Sequence, residues 1–207
     1  MRLVAEKLSA ERGGRAVFAD VSFAVEAGTL LRVSGANGAG KTTLLRILAG
    51  LAAPAEGSAI WHAADAVASS SEATCFVGHA NAFNESLTVR ENLTYAAAMA
   101  GVDLSPFVIE SALHAFGVKP LISRRFGTLS QGQRKRCTLA RLLLDVNSNG
   151  RERRAWLLDE PFVALDTATQ AQLAAVISAE LAAGGLVIYT SHQAVGINAA
   201  LTLELAL

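Results

Sequence analysis

The chain has 207 residues, 18 basic and 18 acidic side chains and no formal net charge, with 52% hydrophobic and 17% charged residues. That length suits one domain with an ample core, and that balance excludes disorder and gives no electrostatic reason for nucleic acid or anionic lipid as the main partner. Much of the apolar share is alanine. No stretch approaches the roughly 20 apolar residues of a transmembrane helix, and the N-terminus lacks the apolar core of a signal peptide, so the sequence reads as a soluble chain.

Cys75 and Cys137 stand far apart, outside any CxxC spacing, so no disulfide is expected and a reducing compartment is the simpler assumption. The histidines at 62, 79, 114 and 192 form no HExxH-type pair, which leaves no case for zinc.

Along the chain, the first thirty residues read as short strands, with Val21, Phe23 and Val25 alternating against smaller or polar residues. Leu30, Leu31 and Val33 run into the turn GANGAGKTT, and LLRILAGL after it keeps helical spacing up to Gly50. Further strands are expected around 58–62 and 74–77. Thr88 and Glu91 have the form of a capping box ahead of Leu93 and Tyr95. Ser105-Pro106 opens another helix, closed by Gly117, and Ser130 caps a helix expected to run through Leu144. Strands then return. Trp156-Leu157-Leu158 and Leu186-Val187-Ile188 are continuous apolar runs of the kind buried on both faces of a sheet. Between them, 167–183 carries Leu173, Val176, Ile177 and Leu181 on one helical face. Strand–helix alternation at both ends with helices between them predicts an α/β parallel core with an inserted helical subdomain.

Residues Gly35, Ala36, Asn37, Gly38, Ala39, Gly40, Lys41 and Thr42 match GxxxxGK[ST] without a mismatch. Backbone N–H groups must converge on phosphate oxygens, which needs glycines where a side chain would block approach or φ is positive. A helix starting at Lys41 aims its positive end at the same oxygens. Lys41 then reaches the β- and γ-phosphates, Thr42 offers its hydroxyl to Mg²⁺, and Thr43 completes the candidate nucleotide contacts. Downstream, Asp159 and Glu160 end an apolar strand, where an α/β sheet has its ligand crevice. Asp159 is the candidate second ligand for Mg²⁺, and Glu160 the group that polarises a water against the γ-phosphate. A two-metal site fails for want of ligands. Ser130, followed by Gly132 and Gln133, forms a capped helix start that is itself a candidate anion site.

The order of these motifs narrows the field. Leu129-Ser130-Gln131-Gly132-Gln133 resembles the signature of ATP-binding-cassette (ABC) ATPases, usually LSGGQ, with Gln131 in place of the first glycine. Val163-Ala164-Leu165-Asp166 resembles that family's D-loop, and Thr190-Ser191-His192 stands where it has its switch histidine. The likeness covers the whole chain, 1–207, as a single ATP-binding domain. It implies a P-loop NTPase core of the ABC type with an N-terminal antiparallel β subdomain and a helical subdomain at about 84–140. It also implies a head-to-tail dimer, in which ATP on one phosphate loop is covered by Ser130 and Gly132 of a second copy, with Asp166 at the same junction. His192 would contact the γ-phosphate and orient the attacking water with Glu160.

Two family residues are missing. Ala80 stands at the expected Q-loop glutamine, with Asn81 able to substitute only by a loop shift. Arg12 stands near the aromatic that stacks on adenine, and as a planar cation it can still stack. The run 147–154 lengthens the connection before the acidic strand and reads as a solvated loop, and Arg134, Lys135 and Arg136 on their helix need only be a solvated basic face. LSQGQRKRCTLARLLL, WLLDEPFVALD and VIYTSHQ, with FVGHANAF, resemble the ATP-binding subunit of the haem exporter of cytochrome c maturation, the CcmA family. That likeness implies a subunit on the cytoplasmic face of the inner membrane, joined to integral membrane subunits through the block at 84–125 and acting indirectly on a periplasmic haem chaperone. The alternatives are a cassette of another membrane system, a non-transport cassette, and a regulatory cassette that binds ATP without turnover.

Overall fold

The first two strands of the computed structural model form a hairpin, β1 (Arg2–Arg12) and β2 (Arg15–Glu26), turning at Gly13-Gly14, both with positive φ. The structure describes residues 1–63, 66–78, 82–99, 101, 105–145, 154–192 and 195–207. These strands are longer than the short ones expected from the sequence. Leu3 and Ala5 are buried, then Leu8 and Ala10, so the alternation slips by one residue. A bulge at Glu6-Lys7, with Lys7 at φ 49°, absorbs the slip and keeps all four side chains on the core face.

β3 (Thr29–Ser34) leads into α1 (Lys41–Leu48), and β4 (Glu56–Ala63) and β5 (Ala66–Ala68) then complete an antiparallel sheet of order β2-β1-β4-β5. Gly57 faces the bulge so closely that a Cβ there would lie 2.3 Å from the carbonyl oxygens of Glu6 and Lys7. Trp61 is fully buried and its indole N–H donates to the carbonyl of Leu48 at 2.8 Å, tying the antiparallel sheet to the C-terminal end of α1. The core around this junction includes Leu3, Leu8, Leu31, Val33, Leu44, Leu45, Leu48, Leu157 and Ile188.

Next come α2 (Ser70–Ala73) and β6 (Thr74–Val77), then the helices α3 (Val89–Met99), α4 (Pro106–Ala115), α5 (Gln131–Leu139) and α6 (Leu142–Asp145). β7 (Ala155–Leu158), α7 (Thr167–Ala182), β8 (Val187–Thr190) and β9 (Leu201–Ala206) close the chain. Among the described residues β6, β7, β8, β3 and β9 lie in that order in a second sheet, every pair parallel. All four residues of β7 and of β8 are buried, as their continuous apolar runs predict. β9 was not anticipated: it pairs with β3 as an exposed edge strand, anchored by Glu204, which takes a 2.7 Å ion pair from Arg32 and a hydrogen bond from Ser34.

The chain divides into two compact units. The described residues of Met1–Gly78, Glu152–Pro161 and Ile177–Leu207 form one, and those of His79–Arg151 and Phe162–Val176 the other. In the second unit Thr88 and Glu91 make a reciprocal cap, the Glu91 carboxylate accepting from the Thr88 N–H at 2.7 Å and the Thr88 hydroxyl accepting from the Glu91 N–H at 3.2 Å. The Thr88 N–H, and the Thr88 hydroxyl that donates to the same carboxylate oxygen at 2.7 Å, hold the Glu91 carboxyl below the usual range. The single helix expected from Ser130 through Leu144 is corrected to two. Past Ala140 the backbone bonds shorten from four residues to three, with Arg141 bonding Thr138 and Leu143 bonding Ala140, and the helix restarts at Leu142.

Candidate functional site

The three glycines of GANGAGKT all have positive φ, 141° at Gly35, 84° at Gly38 and 100° at Gly40. The loop therefore alternates in handedness, which lets successive N–H groups face one concavity. Gly40 has a second reason to be glycine: a Cβ there would lie 2.5 Å from Val17 and 2.8 Å from Phe18, so the β1–β2 hairpin packs directly against the loop. Gly40 precedes α1 with no side-chain cap, which leaves the first-turn N–H groups of α1 free of an internal capping acceptor. Lys41 is only 7% exposed, and its ammonium donates to the carbonyls of Gly35 and Ala36, each at 2.9 Å. The cation is thus held across the loop's mouth. Ala36, Asn37 and Gly38 are exposed, while Ala39 and Thr43 are half-buried.

Asp159 follows β7, and β7 runs parallel to β8 with Leu158 opposite Tyr189, so Asp159 comes to lie beside Thr190. Asp159 is 1% exposed, and its carboxylate accepts from two hydroxyls, that of Thr42 lying within reach of both oxygens. Thr42 donates at 2.9 and 3.1 Å, and Thr190 donates at 2.9 Å. Thr190, itself fully buried, also accepts the N–H of Glu160 at 2.8 Å. Glu160 sits at φ 49°, a backbone region that costs a non-glycine residue about 1–3 kcal/mol and persists only where the surroundings impose it. One of its carboxylate oxygens lies 3.4 Å from Nε2 of His192. Thr42, Asp159, Thr190, Glu160 and His192 therefore form one connected chain of polar groups at the carboxyl ends of β3, β7 and β8. The sequence reading missed Thr190 as a member. Its signal was present in VIYT, where a hydroxyl closes an otherwise apolar buried strand.

In the other unit, Ser130 makes a full capping box: its hydroxyl accepts from the Gln133 N–H at 3.3 Å, and the Gln133 side chain accepts from the Ser130 N–H at 3.0 Å. Ser130 is exposed, Gly132 half-buried. Asp166 caps α7, accepting from the Thr169 N–H at 2.7 Å, and that bond is the first cause of its lowered carboxyl pKa. The expected solvated basic face is corrected here. Arg134 is bonded to carbonyls and to Glu85, and Lys135 is buried, because α5 packs this side inward. Arg12 lies at the hairpin tip, exposed and in register with Arg15. The Q-loop positions His79, Ala80 and Asn81 lie outside the described residues, as does most of the 147–154 connection.

Cys75 and Cys137 are both buried and form no disulfide, and burial pushes the Cys137 thiol up to about 12, so Cys137 offers no thiolate. The ABC transporter family model matches residues 18–163. The "Cytochrome c biogenesis ATP-binding export protein CcmA" of Albidiferax ferrireducens is 43% identical over 196 residues, covering 93% of this chain and 90% of that protein. The protein of the same name from Dechloromonas aromatica is 41% identical over 208 residues and covers 99% of each. A solved structure from Pyrococcus furiosus, assigned as an ABC transporter ATP-binding protein, superposes with a TM-score of 0.80 at 24% identity, over 99% of this chain and 97% of that one.

Proposed function

Since this chain belongs to the ABC transporter family, in the branch of the CcmA proteins, we propose that it is the ATP-hydrolysing subunit of a membrane complex that drives haem export, or the release of a haem-loaded chaperone, during c-type cytochrome biogenesis. The observation that carries the chemical part is the unbroken chain from Thr42 through Asp159 and Thr190 to Glu160 and His192. Residues 1–207 act as one ATP-binding domain, with the helical subdomain at about 84–140.

The triphosphate is bound by N–H groups of residues 35–43, with Lys41 as the point charge beside the β- and γ-phosphates. Thr42 and Asp159 supply a hydroxyl and a buried carboxylate 2.9 Å apart, two hard oxygen donors of the kind Mg²⁺ accepts. Mg²⁺ bound there would neutralise charge on the phosphates. Glu160 polarises the attacking water and His192 holds the carboxylate and the γ-phosphate in line. Ser130, Gly132 and Gln133 of a second copy cover the nucleotide, and Asp166 fixes the adjoining turn. Arg12 offers a planar cation to the adenine.

Thr190 decides where both acids stand. Thr190→Val, which keeps the shape and removes the hydroxyl, should lower ATP turnover by about tenfold while nucleotide affinity stays near wild type, and Thr190→Ser should restore turnover. Steady-state kinetics beside equilibrium nucleotide binding separates the two; equal loss in both would assign Thr190 to binding instead.

No helix among the described residues is long and apolar enough to cross a membrane, so attachment falls to integral subunits. Tyr95 and Met99, one turn apart on α3, and Phe107 on α4 are among the most exposed large apolar side chains. They are the docking contacts we assign to the membrane subunits, on the cytoplasmic face of the inner membrane. Co-purification from membranes tests the assignment. The wild type should bring down integral subunits, the Tyr95→Ser/Met99→Ser/Phe107→Ser variant should not, and deletion of the gene should abolish c-type cytochrome assembly. Intact cytochromes in the deletion strain would return the chain to another membrane system.

A further inference from the structure

Arg134 stands outside the chemistry above, yet its guanidinium donates to three separate acceptors. Nε donates to the carbonyl of Leu129 at 3.0 Å, one terminal nitrogen to the carbonyl of Gly127, and the other to the Glu85 carboxylate at 2.7 Å. Its central carbon lies 5.6 Å from the centre of the Phe126 ring, and Phe126 meets Phe83 edge-on at 5.1 Å. The backbone follows the same route. The N–H of Phe126 donates to Leu87 and that of Gly127 to Glu85, at 2.8 and 2.9 Å. Gly127 passes so near Glu85 that a Cβ would lie 2.9 Å from its carbonyl oxygen. Segment 83–87 and turn 126–129 are therefore one assembly, stapled by a single planar cation whose fork suits three acceptors at once.

Each end of that assembly leads somewhere. Turn 126–129 runs directly into Ser130. Segment 83–87 runs into α3, and Asn92 of α3 grips it, accepting from the Asn84 N–H at 2.7 Å and donating to the Asn84 carbonyl at 3.0 Å. The face of α3 that carries Tyr95 and Met99 is thus joined to Ser130 through Asn92, Asn84, Glu85 and Arg134.

We propose that Arg134 is a positioning residue, holding Ser130 in place against the segment that enters α3, so that displacement of α3 reaches the serine offered to a second copy's nucleotide. This rests on the reading of an ATP-sandwiched dimer. The test uses the full chain carrying Glu160→Gln, so that bound ATP persists. Arg134→Gln should leave nucleotide binding to the single chain within about twofold, because its partners are Leu129, Gly127, Glu85 and Phe126 and none of residues 35–43, and weaken ATP-driven self-association about tenfold or more, the scale of losing charge-assisted hydrogen bonds. Arg134→Lys, which keeps the charge but not the fork, should fall between. Hydrogen exchange of the isolated chain should quicken in 84–88 and 126–130 and stay unchanged in 41–48.

Self-association of Arg134→Gln equal to that of its parent, or unaltered exchange in 126–130, overturns the proposal. If the parent itself fails to self-associate with ATP while exchange in 126–130 still quickens, the staple is real but the dimer reading fails and takes the assigned role with it. Should Arg134→Gln not fold, Glu85→Gln decides the matter, since that side chain is 68% exposed and removes only the ionic arm; unchanged self-association and exchange in that variant overturn the proposal.

Discussion

Glu160→Gln is expected to hold ATP as tightly as the wild type and to hydrolyse it about 10²–10⁴-fold more slowly, the range over which a positioned general base acts. The substitution is close to isosteric. It leaves the Glu160 N–H on Thr190 and the strained backbone at φ 49° untouched, so the buried carboxylate of Asp159 keeps its partners. What disappears is the oxygen 3.4 Å from His192 that can take a proton from water. Single-turnover hydrolysis, measured with membrane partners present beside equilibrium nucleotide binding, checks both halves of the expectation. Undiminished hydrolysis would remove Glu160 from the mechanism and leave the connected polar chain a structural brace.

Lys41→Ala acts at the other step. Removing the ammonium takes a buried cation from the mouth of the phosphate loop and should weaken ATP binding by roughly 10–100-fold, the equivalent of about 1.5–3 kcal/mol for hydrogen bonds to a charged group. The Gly35 and Ala36 carbonyls lose their donor in the same change, so some loss of thermal stability accompanies it. A titration with a fluorescent nucleotide, paired with a melting curve, distinguishes these: the affinity loss persists at temperatures where the variant is fully folded. Taken together the two variants separate capture from turnover, because Glu160→Gln should bind normally and cleave slowly, whereas Lys41→Ala should bind weakly. Affinity at the wild-type level in Lys41→Ala would mean that the loop backbone alone holds the phosphates.

The parts of the site legible in the sequence are those whose constraints are local. Gly35, Gly38 and Gly40 are glycines because the loop needs positive φ at each, a demand expressed within one turn of chain. Ser130 as the cap of α5, and Thr88 with Glu91 as a capping box, are local features that both appear as expected, and the structure adds the reciprocal bond from Gln133. The apolar runs of β7 and β8 announce strands buried on both faces because nothing in them tolerates water.

The amino-acid order by itself thus determined the phosphate loop, the acidic strand end, the helix caps and the family. Tertiary structure alone decided that Thr190 joins Asp159 to Glu160, that β1 slips its alternation at Glu6-Lys7, that β9 pairs with β3, and that Arg134 grips Glu85 rather than facing water. Each of those rests on a partner brought close by strand register or helix packing, and period-based reading carries no register between distant segments.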